Sequence, residues 1–300
     1  MTTLRQYSAF GLTIQSDRPL PTLSPSEHAL SDVIVRTGRI NELSGAEPFD
    51  VRYRNWQASK GRFLLEIENI ARFLVKDGAE IWVDPAPDAA LQDVDAYLLG
   101  SAFAALLQQR EILTLHASAI ATEKGAVLFL GKSGAGKSTL LAAMLDRGYR
   151  MLSDDISALS FSGPDVQVHS AFPTVRLMDS ALERLDRSSD GLTAMRADKA
   201  KFLLPVGAFA AQSCQFFRAY LLTPEEQEAV EIQPLERSAQ FRWLTQLTFR
   251  KNYYRGHGMG QFLFDAVTNL VQQDALRRAV RPSHDFQIEA LADAIVQDIK

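Results

Sequence analysis

A chain of 300 residues with 46% hydrophobic and 23% charged residues has an ordinary globular composition, able to bury one large core or two smaller ones. Its formal net charge of −4 supplies no global basic field, so neither nucleic acid nor an anionic membrane surface is an expected partner. The single cysteine, Cys214, excludes an intrachain disulfide; with no charged-then-apolar leader in residues 1–20 and no apolar run longer than Ala96–Leu107, the expected compartment is the cytoplasm.

The first 85 residues read as β-rich. Strands are expected at Tyr7–Ile14 and Asp32–Val35, separated by a loop carrying Pro19, Pro21 and Pro25. Val51–Gln57 alternates, and Phe63–Ile67, Ala71–Val75 and Glu80–Val83 are short strands, the last two joined at Lys76-Asp77-Gly78 by a hairpin turn. The prolines of Asp84–Asp88 punctuate the chain, and Asp88 is positioned to cap a helix running to Gln109, with Leu91, Val94, Leu98, Ala102 and Ala105 at helical spacing. Residues 1–109 therefore form the expected β-rich amino-terminal module with its linking helix, and 110–300 the remainder of the fold.

Ile112–Ile120 reads as a strand and Thr122–Gly125 as a tight turn into the apolar run Val127–Leu130. A hairpin about that turn pairs Ile120 with Val127 and Ser118 with Phe129, and brings His116 opposite Gly131. Then comes the densest signal in the chain. Gly131, Lys132, Ser133, Gly134, Ala135, Gly136, Lys137 and Ser138, followed by Thr139, match G-x-x-x-x-G-K-[ST] between a buried strand and a helix. Glycines let successive N–H groups point inward at phosphate oxygens, and the helix N-terminus adds partial positive charge. Lys137 is placed to meet the β- and γ-phosphates, and Ser138 to ligate Mg²⁺. ATP and Mg²⁺ are thus the expected cofactors.

The helix from Ser138 to Arg147 presents Leu140, Leu141, Met144 and Leu145 and stops at Gly148. The strand Tyr149–Ser153 follows and ends in Asp154-Asp155, only 17 positions after Lys137. A metal-organising carboxylate belongs at the end of such a strand. Because adjacent strand residues face opposite sides, one aspartate is expected on the metal and the other on the substrate. Either can be the base; Asp154 is favoured for it and Asp155, with Ser138, for the metal. Further on, a short helix at Ser180–Leu185, a polar loop at Arg187–Lys201 carrying Arg196, Lys199 and Lys201, strands at Phe216–Leu222 and Val230–Pro234, and helices at Ser238–Thr248, Gln261–Val280 and Gln287–Ile299 are expected. Phe249–Gly258 mixes aromatics with cations and could line a substrate groove.

His116-Ala117-Ser118, the glycine loop, and Arg147-Gly148 leading to Asp154-Asp155 together resemble the catalytic core of HPr kinase/phosphorylase. Tyr7-x-x-Phe10-Gly11-Leu12 and Phe172-Pro173-x-Val175-Arg176-Leu177 resemble the HPr-kinase-like enzymes of lasso-peptide and related peptide-modification gene clusters. The resemblance implies an α/β fold: a P-loop kinase core of the HPr kinase/PEP carboxykinase type with a smaller β-rich N-terminal module. It implies transfer of the γ-phosphoryl group of ATP to a serine of a precursor peptide or protein, with Lys137, Asp154 and Asp155 catalytic and His116 orienting a carboxylate or the γ-phosphate. A small-molecule kinase on the same core, or a nucleotide-sensing binding module, are the alternatives, and a homo-oligomer is compatible with each.

Overall fold

Strand Gly125–Leu130 carries apolar side chains on both faces and must be covered on both. In the computed structural model, which describes residues 4–40, 48–184, 188, 192–196 and 199–300, it lies inside a mixed sheet. It runs antiparallel to Ala117–Thr122 on one side and parallel to Cys214–Glu225 on the other. Arg150–Ser153 continues the sheet beyond Ala117–Thr122, and Leu276–Pro282 runs parallel to Cys214–Glu225. Ala126, Leu128 and Leu130 face helices Arg237–Leu247 and Gly260–Gln272 through Leu244, Leu247 and Leu270. Val127 and Phe129 face helices Lys137–Asp146 and Ile288–Ile299 through Leu140, Met144, Leu291 and Ile295. The period-two alternation of one strand thus sets two helical layers.

The nine strands from Arg5–Ala9 to Glu80–Pro85 form a separate sheet. Its inner face packs on the helical stretch Leu91–Gln109 around Phe10, Phe63, Phe73 and Phe103, each buried. Burying a side chain of that size stabilises by roughly 1.5–3 kcal/mol. The same cluster takes in Ala158, Phe172 and Tyr253, and the Phe10 N–H donates to the Ser170 carbonyl (2.7 Å), so this sheet is joined to the rest by both packing and backbone. The fold is a mixed α/β arrangement of several sheets. Among the described residues no helix is long and apolar enough to cross a membrane.

Several elements differ from expectation, each for a local reason. Tyr7–Ile14 is not one strand but the hairpin Arg5–Ala9/Leu12–Ser16, because Phe10 and Gly11 both take positive φ (55° and 73°) and reverse the chain. The helix expected from Asp88 begins at Leu91, and Ala90 precedes it with no side-chain cap. That helix contains a π-turn at Leu98–Ala102 before resuming at Phe103–Gln109. Ile112–Ile120 divides at His116 into Leu113–Leu115, paired with Ser157–Ser162, and Ala117–Thr122. Gln261–Val280 is a helix only to Gln272; Asp274 turns with φ 50°, and Leu276–Pro282 is a strand whose apolar residues fit either period. The loop expected at Arg187–Lys201 contains strands Thr193–Arg196 and Lys199–Pro205, which make a small sheet with Thr174–Met178. Residues 187, 189–191, 197 and 198, and the side chains of Arg196, Lys199 and Lys201, lie outside the described residues.

Candidate active site

The apolar strand Gly125–Leu130 delivers the chain to its buried end, where the glycines take over. Gly134 and Gly136 have φ of 80° and 99°, a region L side chains rarely adopt. Gly136 is the N-cap of helix Lys137–Asp146, and a Cβ there would also run into the ring of Phe286. The Lys137 side chain folds back across the turn, its Nζ donating to the carbonyls of Gly131 (2.9 Å) and Lys132 (3.2 Å). The first-turn N–H groups of this ten-residue helix have no intrahelical acceptors and make a positive helix end.

The hairpin holds the expected register: Ile120 lies opposite Val127, Ser118 opposite Phe129, and the ladder ends at Ala117 and Leu130. His116, one residue beyond, gives its backbone N–H to the Leu247 carbonyl (2.8 Å). Its Nδ1 lies 3.0 Å from the Asp155 carbonyl oxygen and 3.6 Å from Asp155 Oδ1. A carbonyl only accepts, so Nδ1 carries the proton and Nε2 is left as an acceptor in the neutral ring. Burial, reinforced by the Lys137 cation, lowers the His116 pKa below 6.5, against the opposing pull of Asp155.

The two aspartates part company immediately after strand Arg150–Ser153. Asp154 is buried, and its carboxylate accepts from Ser118 Oγ (2.6 Å), Ser138 Oγ (2.9 Å) and the Arg176 backbone N–H (2.8 Å). Asp155 takes φ 70°, and its Oδ2 accepts from Arg176 Nη1 (2.5 Å). It faces a cleft of about 330 Å³, lined also by His116, Ser133, Lys137, Ser138 and Arg176. The sequence expectation placed Asp155 beside Ser138 and favoured Asp154 as the base; in the structure it is Asp154 that lies beside Ser138, and Asp155 that lines the cleft. The pleat argument fails because the strand stops at Ser153, and the left-handed turn at Asp155, not alternation, aims its side chain.

The Ser138 hydroxyl and Asp154 carboxylate form an adjacent pair of hard oxygens, the donor type that suits Mg²⁺. No group of three or more His, Cys, Asp or Glu that could hold a metal exists among the described residues. A cation here would complete its shell with water and with oxygens of a bound anion, the usual habit of Mg²⁺.

Of the residues expected from the sequence, His116, Gly134, Gly136, Lys137, Ser138, Thr139, Asp155 and Ser133 line one cleft, with Asp154 directly behind Ser138. Gly131 and Ala135 are buried and do not line it, and Lys132 turns aside, its Nζ 5.7 Å over the Trp243 ring. The aromatic-cationic segment divides: Phe249 and Arg250 share a small cavity with Asp155, whereas Arg255 and His257 line a different one with Asp50 and Lys60. Three contributors were not singled out: Ser118, Arg176 as an Asp155 partner, and Phe286 over the loop. Ser118 carried a signal, since it is the polar residue two positions after His116 in an otherwise apolar run. Arg176 carried a weaker one, a cation between Val175 and Leu177.

No family model matches the chain, and no curated protein matches it. Among solved structures it is similar to the Hpr(Ser) kinase/phosphatase from Coxiella burnetii, at 12% identity over 62% of this chain and 90% of that chain, with a TM-score of 0.34.

Proposed function

We propose that the chain is a Mg²⁺- and ATP-dependent phosphotransferase that phosphorylates a serine hydroxyl of a peptide or protein, built as a P-loop kinase core of the HPr kinase type in residues 110–300 beside a β-rich module in 1–109. The observation that carries this reading is the meeting of three groups at one helix N-terminus: the Ser138–Asp154 oxygen pair, the Lys137 ammonium, and the Asp155 carboxylate facing the same cleft. Bound Mg–ATP would supply the phosphoryl group and neutralise its charge.

The remaining roles belong to the chain. Loop N–H groups and the helix end bind the phosphates and orient them. Lys137, whose ammonium now rests on two loop carbonyls, would bind the phosphates. Asp154 and Ser138 hold the metal side. Asp155 would accept the acceptor hydroxyl's proton as that oxygen bonds to phosphorus and the leaving oxygen departs with the nucleoside diphosphate. Arg176 holds Asp155 in its rotamer, and His116 fixes the Asp155 backbone through its carbonyl.

The test is to incubate the full chain with Mg²⁺ and γ-labelled ATP together with a serine-containing peptide pool, a pool of hydroxylated metabolites, or neither. Label on peptide, lost with Asp155→Asn, supports the reading. Label on a metabolite alone identifies a small-molecule kinase instead, and tight nucleotide binding without any transfer identifies a nucleotide-sensing module.

A further inference from the structure

The nucleotide cleft is one of three cavities that meet at Arg176. A second, of about 160 Å³, shares Asp155 and Arg176 with it and extends to Gly100, Ser101, Phe249 and Arg250. The third, of about 480 Å³, shares Ala96 and Arg176 with the second and is walled by Pro19, Pro21, Leu91 and Leu99. The second and third therefore adjoin at Ala96 and Arg176 and make a groove along the helical stretch Leu91–Ala102, with Arg176 at the junction and Asp155 in the second cavity.

The two ends differ in chemistry. At the proline end, Arg18 and Asp95 neutralise each other across 2.7 Å, and the wall is otherwise largely apolar, with Leu91 70% exposed. At the other end Arg250 is exposed, stacked 5.5 Å over Phe249, and no carboxylate among the described residues pairs with it. The floor between them is the π-turn, a feature common at functional sites. Gly100 lies in that turn, and a Cβ added there meets nothing within 4 Å. The missing side chain leaves room over the groove without any packing demand for glycine.

We propose that this groove binds the phosphate acceptor as an extended peptide, with an apolar residue against Pro19, Pro21 and Leu91 on one side of the phosphorylated residue and a carboxylate at Arg250 on the other. It rests on the phosphotransfer reading for the role of Asp155, but not for the existence of the groove. Cavities on both sides of Arg176, which holds Asp155, suit a chain that continues past the reacting residue in each direction; a metabolite would fill one alone.

The test separates binding from transfer. The full chain, immobilised, is exposed to a synthetic pool of peptides with a fixed central serine and randomised flanks, with no nucleotide present. The expected result is enrichment of apolar residues on one flank and acidic residues on the other. Gly100→Leu should lower retention at least tenfold while leaving the affinity for a fluorescent ADP analogue unchanged, and Arg250→Glu should exchange the acidic preference for a basic one. Leu91→Asp, a change at an exposed side chain, serves the same purpose should Gly100→Leu fail to fold. Retention without flank preference, or a preference indifferent to Arg250→Glu, overturns the proposal. Selective retention with no labelling by Mg–ATP leaves the groove standing and defeats the phosphotransfer reading instead.

Discussion

Asp154 gives the sharpest test of the site, because Asn and Ala at that position should part ways. The carboxylate has three donors around it: two serine hydroxyls and the Arg176 N–H. Only the N–H is an obligatory donor. In Asp154→Asn the amide oxygen can take the Arg176 N–H while its NH₂ faces Ser118 and Ser138, whose hydroxyls can rotate to accept. The network survives and the stability loss should stay within about 1 kcal/mol. In Asp154→Ala the Arg176 N–H is orphaned in a buried site, at a cost of about 2–4 kcal/mol once the lost charged hydrogen bonds are included. With an unfolding entropy of roughly 2.1 cal/mol/K per residue, that lowers Tm by about 3–6 °C, against about 2 °C or less for Asn. Function should not follow stability: the well-folded Asn variant still lacks the negative charge. Losing a charged contact worth roughly 1.5–3 kcal/mol should cut the Mg²⁺-linked tightening of nucleotide binding by about 10- to 150-fold. The assay is a titration of a fluorescent ADP analogue with and without Mg²⁺, beside a thermal melt. An Asn variant that melts as early as Ala, or that keeps full Mg²⁺ linkage, refutes the assignment of Asp154 to the metal side.

Asp155→Asn should bind Mg–ATP with near wild-type affinity yet lose transfer by a factor on the order of 100 or more, the scale of a lost general base; retained turnover in a single-turnover assay would exclude Asp155 as the base. Lys137→Ala should weaken nucleotide binding by roughly 1.5–3 kcal/mol, read by the same titration, and suppress transfer further still. Gly136→Ala combines a strained φ with a collision against Phe286, so Phe286→Ala should recover only part of its nucleotide affinity, and full recovery would show that φ carries no cost. Burial holds the His257 imidazole down to about 4 from 6.5, and burial lowers His116 and His169 as well. The unfolded chain therefore binds more protons below about 6.5, and stability should fall as pH drops from there toward 4, by about 3 kcal/mol for His257 alone. Melts of His257→Gln across that range should show a shallower slope; an unchanged slope would assign the pH dependence elsewhere.

What the sequence made legible was local. The hairpin about Thr122–Gly125, the glycine turn and the short step from Lys137 to the aspartates all depend on neighbours within a few tens of residues, and each has a turn or periodicity that announces it. The placements of Asp154 and Asp155 were not legible, because they turn on one left-handed residue just past a strand end. Nor was Arg176, which reaches Asp155 from a separate small sheet, or Phe286, which reaches Gly136 from the segment before the last helix. Gln261–Val280 misled for a different reason: Leu276, Ala279 and Val280 satisfy a helical stripe as well as a strand, and only sheet partners decide between them.

The ladder that carries His116 to the loop also divides the site by stiffness. Residues 117–121 and 126–130 are tied into a four-strand neighbourhood and buried, so their amides should exchange with solvent only in the most cooperative openings. Lys132–Gly134, Asp155 and Phe249–Arg250 lie outside any ladder and are exposed or half-buried, so their amides should exchange through small local openings. The reference frame of the cleft is therefore rigid, while several of the groups around it hang from it on short, yielding pieces of backbone. A ligand can draw Lys132–Gly134, Asp155 and Arg250 inward without disturbing the strand that positions His116, and protection gained on binding should concentrate in those three segments.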